Sequence, residues 1–368
     1  AKQRTQALTW AGLCLSDLPP KEDPPPKWIE ARKTVSGQML EQLMADPPLV
    51  APRLRYELGL ALGEAGDPRF VPQPAARAKK LNVILPELVK IAAGDFRMGT
   101  SADDKKVIEE QGAQSWENEE PDHTVRLSEY WIGKYPLTNA EFRCFYDDHG
   151  YDHQGLWSVD GWHWRTGEWQ SDLSVYPEEV RKDYERWLAR RPKERRGQPF
   201  FWDDPRLNGS NLPVVGICWF EAQAYCTWLS KVTGKKYGLP SEAQWEQAAR
   251  GRQGYIWPWG SVWEAQRCNN FEAKDALNTT SPVGMYPQGM SPYGAMDLAG
   301  NVWEWCADWY DSQEYARRKD QAVLDPTGPA DGKARVVRGG SWLSVRDGAR
   351  TAASVARDRT RSARPWRQ

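Results

Sequence analysis

The chain has 368 residues, of which 49 are Lys or Arg and 50 are Asp or Glu, for a formal net charge of −1. A balance this even gives the molecule as a whole no electrostatic reason to seek nucleic acid or a membrane surface. A mean hydropathy of −0.75 with no long apolar run excludes a membrane-spanning helix, while 40% hydrophobic residues suffice for one large domain with a small one beside it.

Residues 1–85 read as a small helical segment. Two proline-rich breaks, KEDPPPK (21–27) and DPPLVAP (46–52), bracket helical patterns at 28–44 and 53–65, where Leu and Ala recur at three- and four-residue spacing. Gly66 is the expected stop of the second helix. ELGLALGEAGDPRF (57–70) resembles the closing helix of a helical-repeat unit, yet one unit is too little for a solenoid. The segment is expected either to pack on the main domain or to be the remnant of a longer adaptor.

From residue 86 the pattern turns to short strands with two main helices. Thr138 and Glu141 form a capping box that opens a helix through residue 147, and a second helix spans 219–233 with Phe220, Ala224 and Leu229 on one face. Ser241 and Gln244 form another box, opening 242–250, which Gly251 ends. Between residues 150 and 212 lies a long insert holding Trp157, Trp162, Trp164, Trp169, Trp187 and Trp202. Inserts of this length are functional or heavily packed; its end, FFWDDPRLNG (200–209), leads into a PVVG strand and covers a face of the domain. The 21 tryptophans of the whole chain read chiefly as large rigid core pieces.

DLAGNVWEW (297–305) sets two indoles two residues apart with an acid between them. In extended backbone alternate side chains share a face, so Trp303 and Trp305 should bury together with Glu304 pointing away from them, toward a cation. Residues 335–368 carry nine Arg against Asp347 and Asp358, a local charge of +7 that leaves −8 on the remainder. This tail lacks clustered lysines and interleaved stacking aromatics, so internal carboxylates are its expected partners rather than nucleic acid.

Cys14, Cys144, Cys218, Cys226, Cys268 and Cys306 contain no CxxC and no zinc spacing, which points to buried thiols. With no signal-peptide pattern after Ala1, a cytoplasmic setting is the expectation, a start upstream of Ala1 being left open. His149 and His153 are four apart, but Gly-Tyr-Asp between them reads as a turn and not a metal-clasping helix.

IAAGDFRMG (91–99), EPDHTVRLSEYWIGKYPLTN (120–139), PVVGICWFEAQAYCTWL (213–229), LPSEAQWEQAARG (239–251), GNVWEW and RGGSW, in this order, resemble the formylglycine-generating enzyme (sulfatase-modifying factor) family. The resemblance covers about residues 87–368. It implies an α+β fold, the C-type lectin-like fold of the formylglycine-generating-enzyme subclass, with short mixed strands and much irregular structure. The division is then a helical segment at 1–85 and a lectin-like domain at 86–368, with the insert at 150–212 and a C-terminal variable region at 335–368.

The family oxidase binds copper(I) through two cysteines after its GGS[WY] motif, and those positions fall on Ser344 and Ala349, so no copper site is expected. Related synthases hold iron with three histidines, two of them in an N-terminal helical domain; the first histidine here is His123, in the strand the family carries as structure, so no iron is expected either. The resemblance does imply structural calcium. One site maps onto Asp297, Gly300, Val302 and Glu304, the other onto Asn269, Asn270, Asp275 and Leu277.

The tail also looks like the variable protein of a diversity-generating retroelement, a thermostable lectin-type scaffold displaying a mutated patch. On that resemblance the ligand-binding residues are Trp342, Leu343, Ser344, Val345, Asp347, Gly348, Ser354, Val355, Arg357, Pro365, Trp366 and Arg367, with Arg350, Ala352 and Arg364 as fixed positions between them. The resulting expectation is a non-enzymatic display protein whose partner is a protein or other macromolecule. An oxidase-like enzyme with a relocated site, and an adaptor acting through residues 1–85, remain as alternatives.

Overall fold

The computed structural model describes residues 1–17, 25–78, 81–169 and 178–361. Three helices, Lys2–Ser16, Pro26–Leu43 and Pro52–Ala65, come first. The second and third each open with proline in the first turn, where its missing N–H is not needed. The third ends at Gly66 in a conformation with φ of 99° that suits glycine. Their apolar sides (Leu8, Met39, Leu43, Leu58, Leu62) pack on Leu277, Met285 and Tyr286 of the following chain. The first helix has no expectation behind it in the sequence. It sits against the second because Gly12 admits Met39, whose Cε would lie 2.7 Å from a Cβ added there.

The rest is built from short strands in small sheets. Glu304–Trp309, Arg335–Arg338 and Ser354–Arg357 form an antiparallel sheet with Arg335–Arg338 in the middle. Gly94–Met98 pairs antiparallel with His123–Leu127, which takes Val323–Leu324 in parallel on its other edge. Leu88–Ile91 pairs with Tyr130–Gly133. The PVVG segment is not a strand: Pro213 makes a single bridge to Thr138. Within the C-terminal region, residues 354–357 pair along their whole length with 335–338.

Both expected capping boxes are present, Thr138 with Glu141 and Ser241 with Gln244. The helix Trp219–Thr233 runs through the largest core cluster, where Phe142, Phe145, Tyr225 and Trp228 meet Trp157, Trp164 and Trp202 of the insert. The insert is therefore core as much as cover. Arg191 locks it there. Its guanidinium donates to both oxygens of Glu221 at 2.6 and 3.0 Å, and Tyr151 donates to the same carboxylate at 2.6 Å. Asn211 and Ser210 donate to the carbonyls of Gly59 and Gly63, joining the insert's end to the third helix. Among the described residues no helix is long and apolar enough to cross a membrane.

Two further buried pairs close the fold. Arg338 lies 2.7 Å from Glu242 and 3.0 Å from Glu246, and Arg350 holds Glu119 with two guanidinium nitrogens. Removing one member of a fully buried pair strands the other charge. Glu119→Gln should therefore cost about 3–5 kcal/mol in urea denaturation. Lys106→Ala, which removes an exposed pair with Asp103, should leave the midpoint nearly unchanged.

Candidate functional site

After Arg338 the chain turns at Gly339 and Gly340, with φ of 93° and 78°. A Cβ on Gly340 would lie 2.7 Å from the carbonyl of Gly348, so only glycine permits this closure. The loop that follows is pinned at many points. Trp342 donates its N–H to Asn301 O at 3.0 Å, and Ser344 O accepts from Phe271 N at 3.0 Å. Ser344 Oγ accepts from Ser341 N at 2.9 Å. Arg346 pairs with Glu272 at 2.9 Å while its carbonyl takes the indole N–H of Trp257, and Asp347 accepts from Gln114 N.

This anchoring corrects part of the expected ligand face. Trp342, Gly348, Ser354 and Arg357 are buried, the first as an anchor and the last two on the paired strand. Asn118 donates to Ser354 O and Oγ, closing it further. What faces solvent, wholly or in part, is Leu343, Ser344, Val345, Asp347 and Val355. Arg350 and Ala352, expected as fixed, are buried. Arg364, Pro365, Trp366 and Arg367 lie outside the described residues.

Ser344 and Ala349, the positions expected to correspond to the oxidase thiolates, have other work. Ser344 Oγ caps the turn at Ser341, and Ala349 is fully buried with Ile108, Trp257 and Ala299. The fold brings one thiol, Cys268, into that same cluster, which no spacing in the sequence announced. Burial raises its pKa, and Asn270 donates to its sulfur at 3.4 Å. A buried thiol of this kind is inert.

Trp303 and Trp305 do share one core cluster, but Glu304 has no cation. Its Oε2 accepts from the Trp245 indole N–H at 2.9 Å, and no ion pair reaches it among the described residues. Burial pushes its pKa up to about 8. Asp297 is similar: burial raises it to about 6, and Gly284 N donates to it at 2.6 Å. Asp297, Gly300 and Asn301 all have positive φ (60°, 74° and 58°), which folds 297–304 into a tight pair of turns. A buried and a half-buried carboxylate, neither in an ion pair among the described residues and with Arg69 acting on Asp297 only through its field, fit a hard divalent ion beside the turns of Gly300 and Val302.

The second expected set fits less well. Asn270 Oδ1 already accepts from the N–H groups of Glu272 and Ala273, and Asn269 Nδ2 donates to Thr279 O. Asp275 is exposed, and Leu277 buries its side chain under the N-terminal helices. Among the described residues no three His, Cys, Asp or Glu side chains gather together. His149 and His153 stand in a turn, and His123 is buried in its strand.

A large apolar cleft of about 1140 Å³, unmarked in the sequence, is walled by Tyr130, Trp131, Ile217, Tyr237, Trp303 and Trp342 with Glu304 inside it. Its walls come from segments far apart in the chain, so no local pattern marks it.

The model for the sulfatase-modifying factor enzyme 1-like domain matches residues 73–365. The formylglycine-generating enzyme of Thermomonospora curvata is 34% identical over 299 residues, covering 75% of this chain and 86% of that protein. The inactive C-alpha-formylglycine-generating enzyme 2 of Bos taurus is 32% identical over 276 residues, covering 71% and 78%. The structure of PvdO from Pseudomonas aeruginosa superposes with a TM-score of 0.52 at 25% identity, over 76% of this chain and 90% of that one. The fold is thus α+β and C-type lectin-like. The chain belongs to the formylglycine-generating enzyme (sulfatase-modifying factor) family.

Proposed function

We propose that this chain is a binding member of its family, displaying the surface of Leu343, Ser344, Val345, Asp347 and Val355 to a macromolecular partner, and that it does not oxidise thiols with copper. The observation that carries this is the use of Ser344 and Ala349 as turn cap and core. Copper(I) needs soft ligands, and a hydroxyl and a methyl offer none. A relative named as inactive keeps 32% identity, so the scaffold survives without the chemistry in that protein.

Retroelement diversification is the finer form of the proposal. Its physical support is a loop anchored from below by buried residues, so that exposed side chains can change at a cost within about 0.5 kcal/mol each. Leu343→Ala, Val345→Ala and Val355→Ala combined should melt within a few degrees of wild type and lose a partner recovered by selection. Unfolding of this variant would mean that the face is structural. Sequencing the locus across a clonal population should find substitutions concentrated in 343–367, and a uniform spread would count against diversification.

A second reading, an enzyme with its site in the cleft, is favoured by the 34% identity to a protein named as a formylglycine-generating enzyme. An assay of a cysteine peptide with added copper separates the two. The binding reading expects no turnover, and turnover abolished by chelation would prove it wrong.

We also propose that Asp297 and Glu304, with the carbonyls of Gly300 and Val302, hold a calcium ion. The sign of the pH effect follows from the raised carboxyl. Glu304 has an ordinary pKa of 4.5 and a folded value of about 8, so its contribution is complete below the first and is lost as pH rises through the second. In chelator, wild type should lose more stability across that window than Glu304→Gln, in which the raised Asp297 still contributes its share up to about pH 6. Millimolar calcium should reverse the order at pH 8, stabilising wild type by RT ln(1 + [L]/Kd), about 2.7 kcal/mol at hundredfold excess over Kd. Identical melting in chelator and calcium would remove the metal site.

A further inference from the structure

One side of the central sheet carries a ladder of guanidinium groups and aromatic rings that neither the loop nor the calcium set uses. Arg335 stands between Trp309 and Trp219, its guanidinium carbon 3.4 and 3.9 Å from the two ring centroids. Arg359 lies on the other side of the ladder, 5.0 Å from Trp309, 4.4 Å from Trp169 and 5.2 Å from Phe220. The arrangement is set by pairing and not by chance contact. Trp309 is the register partner of Arg335, and the carbonyl of Arg359 accepts the N–H of Trp219 at the start of its helix.

Among the described residues the charge on this ladder is only partly compensated. Arg359 pairs with Asp160 at 2.9 Å, an acid that is itself well exposed. Arg335 makes no ion pair among the described residues; one of its terminal nitrogens donates to Ala307 O, and its Nε is buried with no acceptor. Asp308, the acid that acts on it electrostatically, already accepts from Glu242 N at 2.8 Å. Burial first, and Arg359 second, lower the Arg335 pKa to about 10, which still leaves it charged at neutral pH. Indole faces attract a cation but accept no N–H···O bond.

A partly buried guanidinium with a like charge beside it and no ion pair of its own among the described residues suits an anion, which its planar fork can bind. We infer that Arg335 and Arg359 form an oxyanion site, taking a carboxylate or phosphate group of a small ligand with Trp309 and Trp219 flanking it. The site is separate from the loop of residues 343–347, so either can fail without the other.

Titration of the full chain with inorganic phosphate and with succinate, at ionic strength held constant with chloride, tests the site through tryptophan fluorescence. Wild type should give a saturable change with at least one probe, and the tighter of the two identifies the source of the oxyanion. Arg359→Gln should weaken that response about tenfold or more while melting within a few degrees of wild type. Arg335→Gln removes a stacked side chain and can unfold the sheet, so Arg335→Lys is the second variant. It keeps the charge without the fork, and should bind more weakly than wild type with its fold intact. The inference is overturned if wild type shows no saturable change with either probe, or if both Arg359→Gln and Arg335→Lys bind as wild type does.

Discussion

Arg338 is wholly buried, and a guanidinium cannot shed its charge to escape that position. The surrounding structure has to supply acceptors, and it does so with four groups from three segments. Glu242 and Glu246 come from one helix, Tyr315 Oη lies 2.6 Å away, and Thr351 offers its carbonyl at 2.9 Å. Glu246 in turn accepts from Gly99 N at 2.7 Å and from Arg250 at 2.9 Å, which carries the network to the end of the 94–98 strand. Burial alone would raise the Glu246 carboxyl, but Arg338 and Arg250 outweigh it and hold it below the usual range. The central strand, the 242–250 helix and the loop after GGSW are thereby fixed to one charge cluster.

That cluster gives the unpaired acids their meaning. Glu221, Glu119 and Glu246 each face a buried guanidinium, so their charge is accounted for within the chain. Asp297 is buried and Glu304 half-buried, and among the described residues neither is in an ion pair: each accepts from one N–H, the amide of Gly284 and the indole of Trp245. The cost of burying a carboxylate is the same in both cases; only the compensation differs. The calcium site proposed at 297–304 rests on that difference. Arg335 is its mirror image, a cation stacked on rings that makes no ion pair among the described residues, Asp308 acting on it only through its field.

Tryptophan supplies the rigidity that so little regular structure would not. Trp157, Trp219, Trp228, Trp245 and Trp257 are buried, and each donates its indole N–H to a carbonyl or carboxylate. A ring that fills space and fixes one polar contact constrains irregular backbone at two points at once. The loop of residues 341–350 rests on this framework through Trp257 and the buried Trp342. Its exposed side chains therefore sit on a fixed backbone, the condition a recognition surface requires.

Local chemistry is what the sequence by itself determined. Thr138, Ser241 and Gly66 mark helix ends because a cap needs only its own neighbours, and the spacing of Trp303 and Trp305 places them on one core because a strand alternates. Ser344 and Ala349 argued against a copper thiolate site for the same reason, since a side chain's donor atoms are written in its name. The tertiary structure decided everything that depends on distant partners. It buried Ser354 and Arg357 by pairing 354–357 with the central strand, gave Glu304 an indole in place of a cation, and set Cys268 in the cluster of Ala349. It also assembled the cleft and the Arg335 ladder from segments scattered along the chain. Periodicity and spacing report on neighbours in sequence, whereas burial and charge compensation are settled only when segments far apart in the chain meet.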